Sequence, residues 1–195
     1  MADLAAPWRD DGIDVHERRA SVRTPGAERE GMERPLPVVP EPGQESVWDY
    51  PRPPRLEWSD RHLRVESAGV VVAESLGGYR VLETSHPPTY YLAPDACDES
   101  RFSVGDGRSF CEWKGVARYW TVTVDDHVVE DACWCYPGPT GSFAAIADHR
   151  AFYPSRFRCF VDDRIVVPQP GGFYGGWITD DVVGPFKGGP GTAGW

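Results

Sequence analysis

The run VARYWTVTVDDHVVEDACWCY, residues 116–136, decides the fold class of this chain. Both halves of the run, residues 116–124 and 127–136, are rich in β-branched and aromatic residues, which favour strands. Only Asp125 and Asp126 separate the two halves, and two turn-forming residues between such runs are typical of a β-hairpin. The run therefore predicts two adjacent antiparallel strands.

Shorter runs of the same kind lie on both sides of this hairpin. Glycine and proline account for 21 and 19 of the 195 residues, which indicates many turns and few long helices. Gly77 and Gly78 are expected to separate two strands, and residues 142–148 are the one predicted helix, with Ser142 as its N-cap. Together these patterns predict a mostly-β fold with one short helix. The further strands are predicted at residues 63–66, 70–73, 79–84, 89–92, 108–113, 157–161 and 164–167.

The chain divides into three parts by composition. Residues 1–45 combine many charges with scattered prolines and no sustained periodicity, which predicts a disordered, acidic, proline-containing tail. Residues 46–167 hold the predicted strands and form the expected single β domain. Residues 168–195 are too rich in glycine for regular structure, but their aromatic side chains are expected to dock this C-terminal tail on the domain.

Charge and composition exclude several classes of function. The formal net charge of −10 disfavours a nucleic-acid partner, and no apolar run is long enough for a membrane helix. No hydrophobic signal-peptide stretch is present, so a cytoplasmic protein is expected. The five cysteines contain no C-x-x-C pair, and the glycines match neither a dinucleotide fingerprint nor a P-loop. We therefore predict neither a metal nor a cofactor.

The chain has only two lysines against eighteen arginines. Lys114 and Lys187 occupy similar settings, each between an aromatic residue and a glycine. An ammonium group differs from a guanidinium in shape and in the ease with which its pKa shifts, so we expect Lys114→Arg not to be neutral. Chance survival of two surface lysines is the alternative interpretation.

Aromatic residues are concentrated between residues 113 and 153 and have two interpretations. They are either simply core, or partly the wall of a small-molecule pocket. Because strand side chains alternate, Tyr119 and Trp120 must face opposite sides. By the same rule the side chains of Cys133 and Cys135 point to the same face of their strand. Together with Cys111 they form either a site of three thiols or part of the hydrophobic core. His86 is a titratable ring in a rigid turn before Pro87.

At these residues the sequence resembles the domain of unknown function 427 family. The resemblance implies a compact β-tent of two antiparallel sheets and no established activity, and the C-terminal tail looks like that of actinobacterial members. Related β-tent proteins hold zinc between C-x-x-C pairs, which this chain lacks, and a nucleotidyltransferase label attached to the family finds no matching motif here. The resemblance is carried by residues 81–94, 111–120, 132–137 and 146–153, with family-typical positions at Pro88, Tyr91, Lys114, Gly115, Tyr119, Trp134 and Tyr136.

The combined interpretation is a small-ligand-binding β module with an aromatic-walled pocket. One alternative is a protein-interaction module that uses the C-terminal tail, and another is a thiol redox enzyme or other enzyme of unknown reaction. Enzyme status and oligomeric state are left open. The predicted ligand-binding residues are His86, Tyr91, Lys114, Tyr119, Trp134 and Tyr136.

Overall fold

Residues 35–195 are described by a computed structural model. The predicted N-terminal tail therefore lies outside the described residues over positions 1–34. Extended chain dominates the described part. The strands are β1 Glu45–Ser46, β2 Arg55–Ser67, β3 Val70–Leu82, β4 Thr89–Tyr91, β5 Phe102–Cys111, β6 Gly115–Val124, β7 His127–Cys135, β8 Ala151–Phe152, β9 Arg158–Val161, β10 Arg164–Ile165, β11 Val167–Pro168, β12 Trp177–Ile178 and β13 Val182–Val183.

Two antiparallel sheets form the body of the fold, which confirms the predicted fold class. One has the strand order β10-β9-β2-β3-β4 and the other the order β5-β6-β7-β8. The β6–β7 hairpin turns at Asp125 and Asp126 as predicted, with Val124 opposite His127. Asp125 has a φ of +51°, a conformation that aspartate tolerates better than most residues.

The prediction that Gly77 and Gly78 separate two strands is wrong. Strand β3 runs without interruption from Val70 to Leu82, so the predicted strand 79–84 is its second half. Gly77 has a φ of +136°, and a β-carbon there would collide with the indole ring of Trp58 across the hairpin. The glycine makes room for a cross-strand ring within a continuous strand.

The two sheets enclose a hydrophobic core, and a second cluster lies on the other face of β6 and β7. Trp120 packs against the first cluster and Tyr119 against the second, as strand alternation predicts. The first cluster joins the sheets through residues such as Leu63 of β2 and Phe152 of β8. The second cluster comprises Val81, Tyr91, Ala117, Trp134, Tyr136, Phe143, Ile146, Ala151 and Tyr153.

The predicted helix at residues 142–148 is a 3-10 helix, Gly141–Ile146, and Ser142 does not cap it. Phe143 and Ile146 are buried, and the 3-10 geometry aligns residues three apart on one face. This short helix is therefore sufficient to bury Phe143 and Ile146 in the second cluster. No helix in residues 35–195 is long and apolar enough to cross a membrane.

The C-terminal segment, residues 168–195, contains short strands despite its glycines, which corrects the expectation of no regular structure. Strand β12 pairs with β11, and β13 pairs in parallel with β1. Trp177 is fully buried in the first core cluster, and its Nε1 donates to the carbonyl oxygen of Phe152 at 3.1 Å. Val182 packs in a third cluster with Val47, Tyr50 and Leu82.

Candidate functional site

A cavity of about 430 Å³ opens beside the second core cluster. Its lining comes from β3, β4 and the turn between them, from the β5–β6 hairpin, from the C-terminal segment, and from the single residues Arg52, Trp134, Tyr136 and Tyr153. The structure brings all six residues of the predicted site to this one cavity. They are His86, Tyr91, Lys114, Tyr119, Trp134 and Tyr136.

Aromatic rings form the inner wall of the cavity. The ring centroids of Trp134 and Tyr153 are 4.5 Å apart, and Tyr91 lies 6.4 Å from both Trp134 and Tyr136. Burial raises the pKa of the Tyr91, Tyr136 and Tyr153 hydroxyls, so these groups stay protonated at neutral pH. The wall therefore offers flat apolar faces and neutral hydroxyls rather than phenolates. The Tyr119 hydroxyl is hydrogen-bonded to Ser109 at 3.0 Å.

Lys114 lies in the tight connection between β5 and β6. The next residue, Gly115, has a φ of +94°, and the Thr140 hydroxyl donates to the carbonyl oxygen of Trp113 at 2.6 Å. These features hold the connection so that the Lys114 side chain is buried, with Nζ 5.8 Å from the ring centroid of Tyr136 and 5.5 Å from that of Phe143. Within residues 35–195, Nζ has neither a hydrogen-bond acceptor nor a carboxylate partner.

Lys187 lines the same cavity although it was not among the six predicted residues. Its side chain is buried, and Nζ donates to the main-chain oxygen of Trp195 at 2.7 Å. Its backbone N–H donates to the Ser85 carbonyl oxygen at 2.9 Å, which ties the C-terminal segment to the turn that carries His86. The sequence contained one signal that could have identified Lys187: lysine is rare in this chain, and both lysines line the same cavity.

His86 faces the cavity in a defined neutral form. Gln169 accepts from the Gly176 N–H through Oε1 and donates from Nε2 to the Lys187 carbonyl, which fixes the orientation of its amide. Nε2 of Gln169 also donates to Nδ1 of His86 at 3.0 Å, so the imidazole proton resides on Nε2 of His86. Burial, and then the charges of Lys187, Arg52 and Lys114, lower the pKa of His86 to about 4.

Two carboxylates at the cavity are already engaged by a cation. Arg52 lies 3.5 Å from Glu83 and 3.4 Å from Glu112 through the same guanidinium nitrogen. All three side chains line the cavity. Arg52 thus sits between two carboxylates, and Lys187 donates to the main-chain oxygen of Trp195, whereas Lys114 has no carboxylate within ion-pair distance among residues 35–195.

The cysteines do not form the three-thiol arrangement considered from the sequence. Cys111 lines the cavity, whereas Cys133 is buried in the first core cluster, and Cys135 accepts a hydrogen bond from Trp120 at 3.3 Å. Burial raises the pKa of the Cys133 and Cys135 thiols, which disfavours the reactive thiolate. All five thiols are free, and no group of three or more metal-ligating side chains occurs among the described residues.

Fold and cavity together define a mostly-β domain whose two antiparallel sheets carry an aromatic-walled cavity. The family model described as Domain of unknown function (DUF427) matches residues 55–163, more than half of the chain. The chain belongs to this family. A search of the curated proteins finds no match to this chain.

Proposed function

We propose that this protein is a small-molecule-binding module whose ligand occupies the aromatic-walled cavity. One observation carries the proposal: six residues singled out between positions 86 and 136 converge on a single cavity of about 430 Å³. Cavities of this size, with apolar walls and a few fixed polar groups, are the usual form of small-molecule sites. In this proposal the rings of Tyr91, Trp134 and Tyr136 contact the ligand, and Lys114 and His86 orient it.

The proposed module works in the cytoplasm. All five cysteines are free, and a reducing compartment keeps thiols in this state. We propose binding as the function and leave open whether the module also catalyses a reaction.

Native mass spectrometry tests this proposal. The protein is purified under reducing conditions, and its native mass is compared with its denatured mass. A bound molecule that is lost on denaturation supports the proposal and identifies the ligand. The variant Thr89→Trp, which places a large ring at the cavity lining, should lose this molecule, whereas Thr123→Trp on the exposed side of β6 should retain it. Equal occupancy in both variants would place the ligand elsewhere.

A protein-interaction module is the second candidate, and exposed apolar side chains at the cavity rim favour it. Phe110 and Phe173 are 76% and 74% exposed although both reach the cavity lining. Val116, opposite Phe110 in the β5–β6 pair, is also exposed. Under this function the protein should form a dimer or complex that Phe110→Ser dissolves, while the cavity stays empty in the native mass spectrum.

A further inference from the structure

Three cationic side chains line the cavity of this acidic protein, and one of them, Lys114, has no partner in the described part of the chain. The chain carries a formal net charge of −10, yet Arg52, Lys114 and Lys187 line the cavity against only Glu83 and Glu112 as carboxylates. A cation-rich concave site in an acidic protein concentrates anions and holds them in a setting of low dielectric.

Lys114 brings to the cavity a charge that has no partner within the described chain. Its side chain is buried, its Nζ faces two aromatic rings, and no described residue accepts a hydrogen bond from it. The ammonium opens onto the cavity, where its cation–π contacts with Tyr136 and Phe143 leave its hydrogen-bond donors without a protein acceptor among the described residues. An anion in the cavity would complete this arrangement through a charge-assisted hydrogen bond.

His86 adds a second unused donor. Gln169 occupies Nδ1, so the proton is on Nε2, which has no partner among residues 35–195. Lys114, Lys187 and Arg52 are all close enough to His86 to disfavour its protonated form. The cavity therefore presents ammonium groups and a neutral N–H donor, a set that matches an acceptor-only group such as a carboxylate.

The charge balance favours one negative charge on the ligand. Arg52 is engaged with Glu83 and Glu112, and these carboxylates would repel a doubly charged phosphate monoester. The flat faces of Tyr91, Trp134 and Tyr136 favour a planar apolar body attached to the charged group.

We propose that the cavity selects a small planar carboxylate, with Lys114 and Lys187 recognising its charge and His86 donating a hydrogen bond to it. This inference rests on the proposed function and specifies its ligand class. It also assigns a role to Lys187, which lies 73 positions from Lys114 in the sequence.

Three probes that share a naphthyl ring test the proposal by isothermal titration calorimetry: 2-naphthoate, its neutral isostere 2-naphthamide, and dianionic 2-naphthyl phosphate. We expect naphthoate to bind at least tenfold more tightly than either of the other two. Lys114→Gln should reduce the preference for naphthoate over naphthamide to less than threefold, and Lys187→Gln should reduce it in the same direction. Arg164→Gln, which removes one positive charge at an exposed site outside the cavity, should leave the preference for naphthoate over naphthamide unchanged.

Each other result overturns the inference in a recognisable way. Equal affinity for naphthoate and naphthamide would refute charge recognition but leave the small-molecule site standing. Tighter binding of the phosphate would replace the carboxylate with a phosphate monoester. If none of the probes binds, the planar carboxylate class is refuted, and ligand occupancy in the native mass spectrum decides the proposed function separately.

A second measurement uses the wild-type protein and so does not depend on how a variant folds. Labelling with [ε-13C]lysine gives two side-chain signals, because the chain contains two lysines. We expect naphthoate to shift both signals and naphthamide to shift neither to a comparable extent. Unchanged lysine signals at saturating naphthoate would overturn the assignment of Lys114 and Lys187.

Discussion

The side-chain amide of Gln169 donates a hydrogen bond from Nε2 to Nδ1 of His86 at 3.0 Å. This bond joins the glycine-rich C-terminal segment to the turn before β4 and fixes which imidazole nitrogen carries the proton. Gln169 is itself held by the Gly176 N–H and the Lys187 carbonyl. Two parts of the chain more than eighty positions apart thus set the chemistry of one cavity-lining ring.

His86 should make the protein less stable as the pH falls from about 6.5 to about 4. In the unfolded chain the ring takes a proton near its ordinary pKa of 6.5, whereas in the folded protein its pKa is about 4. The contribution of neutral His86 to the free energy of unfolding is therefore fully present above pH 6.5. It is lost as the pH falls toward 4, because the unfolded chain binds the proton at a higher pH than the folded protein does. The loss is at most about 3 kcal/mol.

Urea unfolding of wild type and His86→Gln between pH 7 and 4.5 measures this effect. The variant should show the shallower dependence of unfolding free energy on pH. His127→Gln is the matched control, because the His127 side chain is exposed beside the β6–β7 turn. Identical pH profiles for wild type and His86→Gln would contradict the prediction.

Lys114→Met should leave the free energy of unfolding unchanged or raise it by up to about 1 kcal/mol, because the largely buried side chain of Lys114 makes no hydrogen bond or ion pair within the described chain, and methionine provides an apolar chain of similar length. The same variant should lose the naphthoate preference described above. Lys114→Arg should weaken binding as well, since a planar guanidinium does not fit the space of an ammonium. A loss of more than about 2 kcal/mol in urea unfolding of Lys114→Met would indicate a structural role instead.

Gly175→Ala should destabilise the protein by about 1–3 kcal/mol and disturb the cavity wall. A β-carbon at this position would collide with the indole ring of Trp134, which packs against Tyr153. Tryptophan fluorescence and thermal unfolding measure the two effects. Gly189→Ala is the control in the same segment, since its β-carbon would meet no atom within 4 Å; equal effects of both substitutions would refute the steric explanation.

Trp177→Ala should lower the free energy of unfolding by about 3–5 kcal/mol, because the indole ring is fully buried and its Nε1 donates a hydrogen bond to the Phe152 carbonyl oxygen. This tests whether residues 168–195 stabilise the β domain. Phe173→Ala in the same segment should change the unfolding free energy by less than about 0.5 kcal/mol, because Phe173 is 74% exposed. Chemical unfolding of both variants provides the comparison, and similar values for both would argue against docking through Trp177.

A thiol reagent should modify Cys111 well before the other four cysteines in the native protein. Cys111 is partly exposed at the cavity, whereas the other four cysteines are buried: Cys97, Cys133, Cys135 and Cys159. Peptide mass mapping after brief labelling identifies the modified residue, and a ligand in the cavity should protect it. Rapid labelling of Cys133 or Cys135 would instead revive the thiol redox alternative.

The sequence by itself determined the mostly-β class and the β6–β7 hairpin, because both depend on local preferences. Alternation placed Tyr119 and Trp120 on opposite faces, and the structure confirms this. The same local rules failed where a distant contact intervened. Gly77 was expected to end a strand, but the Trp58 ring across the hairpin uses the space that the glycine leaves.

Only the tertiary structure decided which polar groups meet. Residue types and rarity pointed to Lys114 and His86, but nothing local connects them with Gln169 or Lys187 in the C-terminal segment. Those contacts arise because Trp177 is buried against Phe152 and Lys187 bonds to Ser85, which brings a distant segment over the cavity. A sequence encodes strand preference within a few residues, whereas a cavity depends on long-range packing, and its charge balance on every group that this packing assembles.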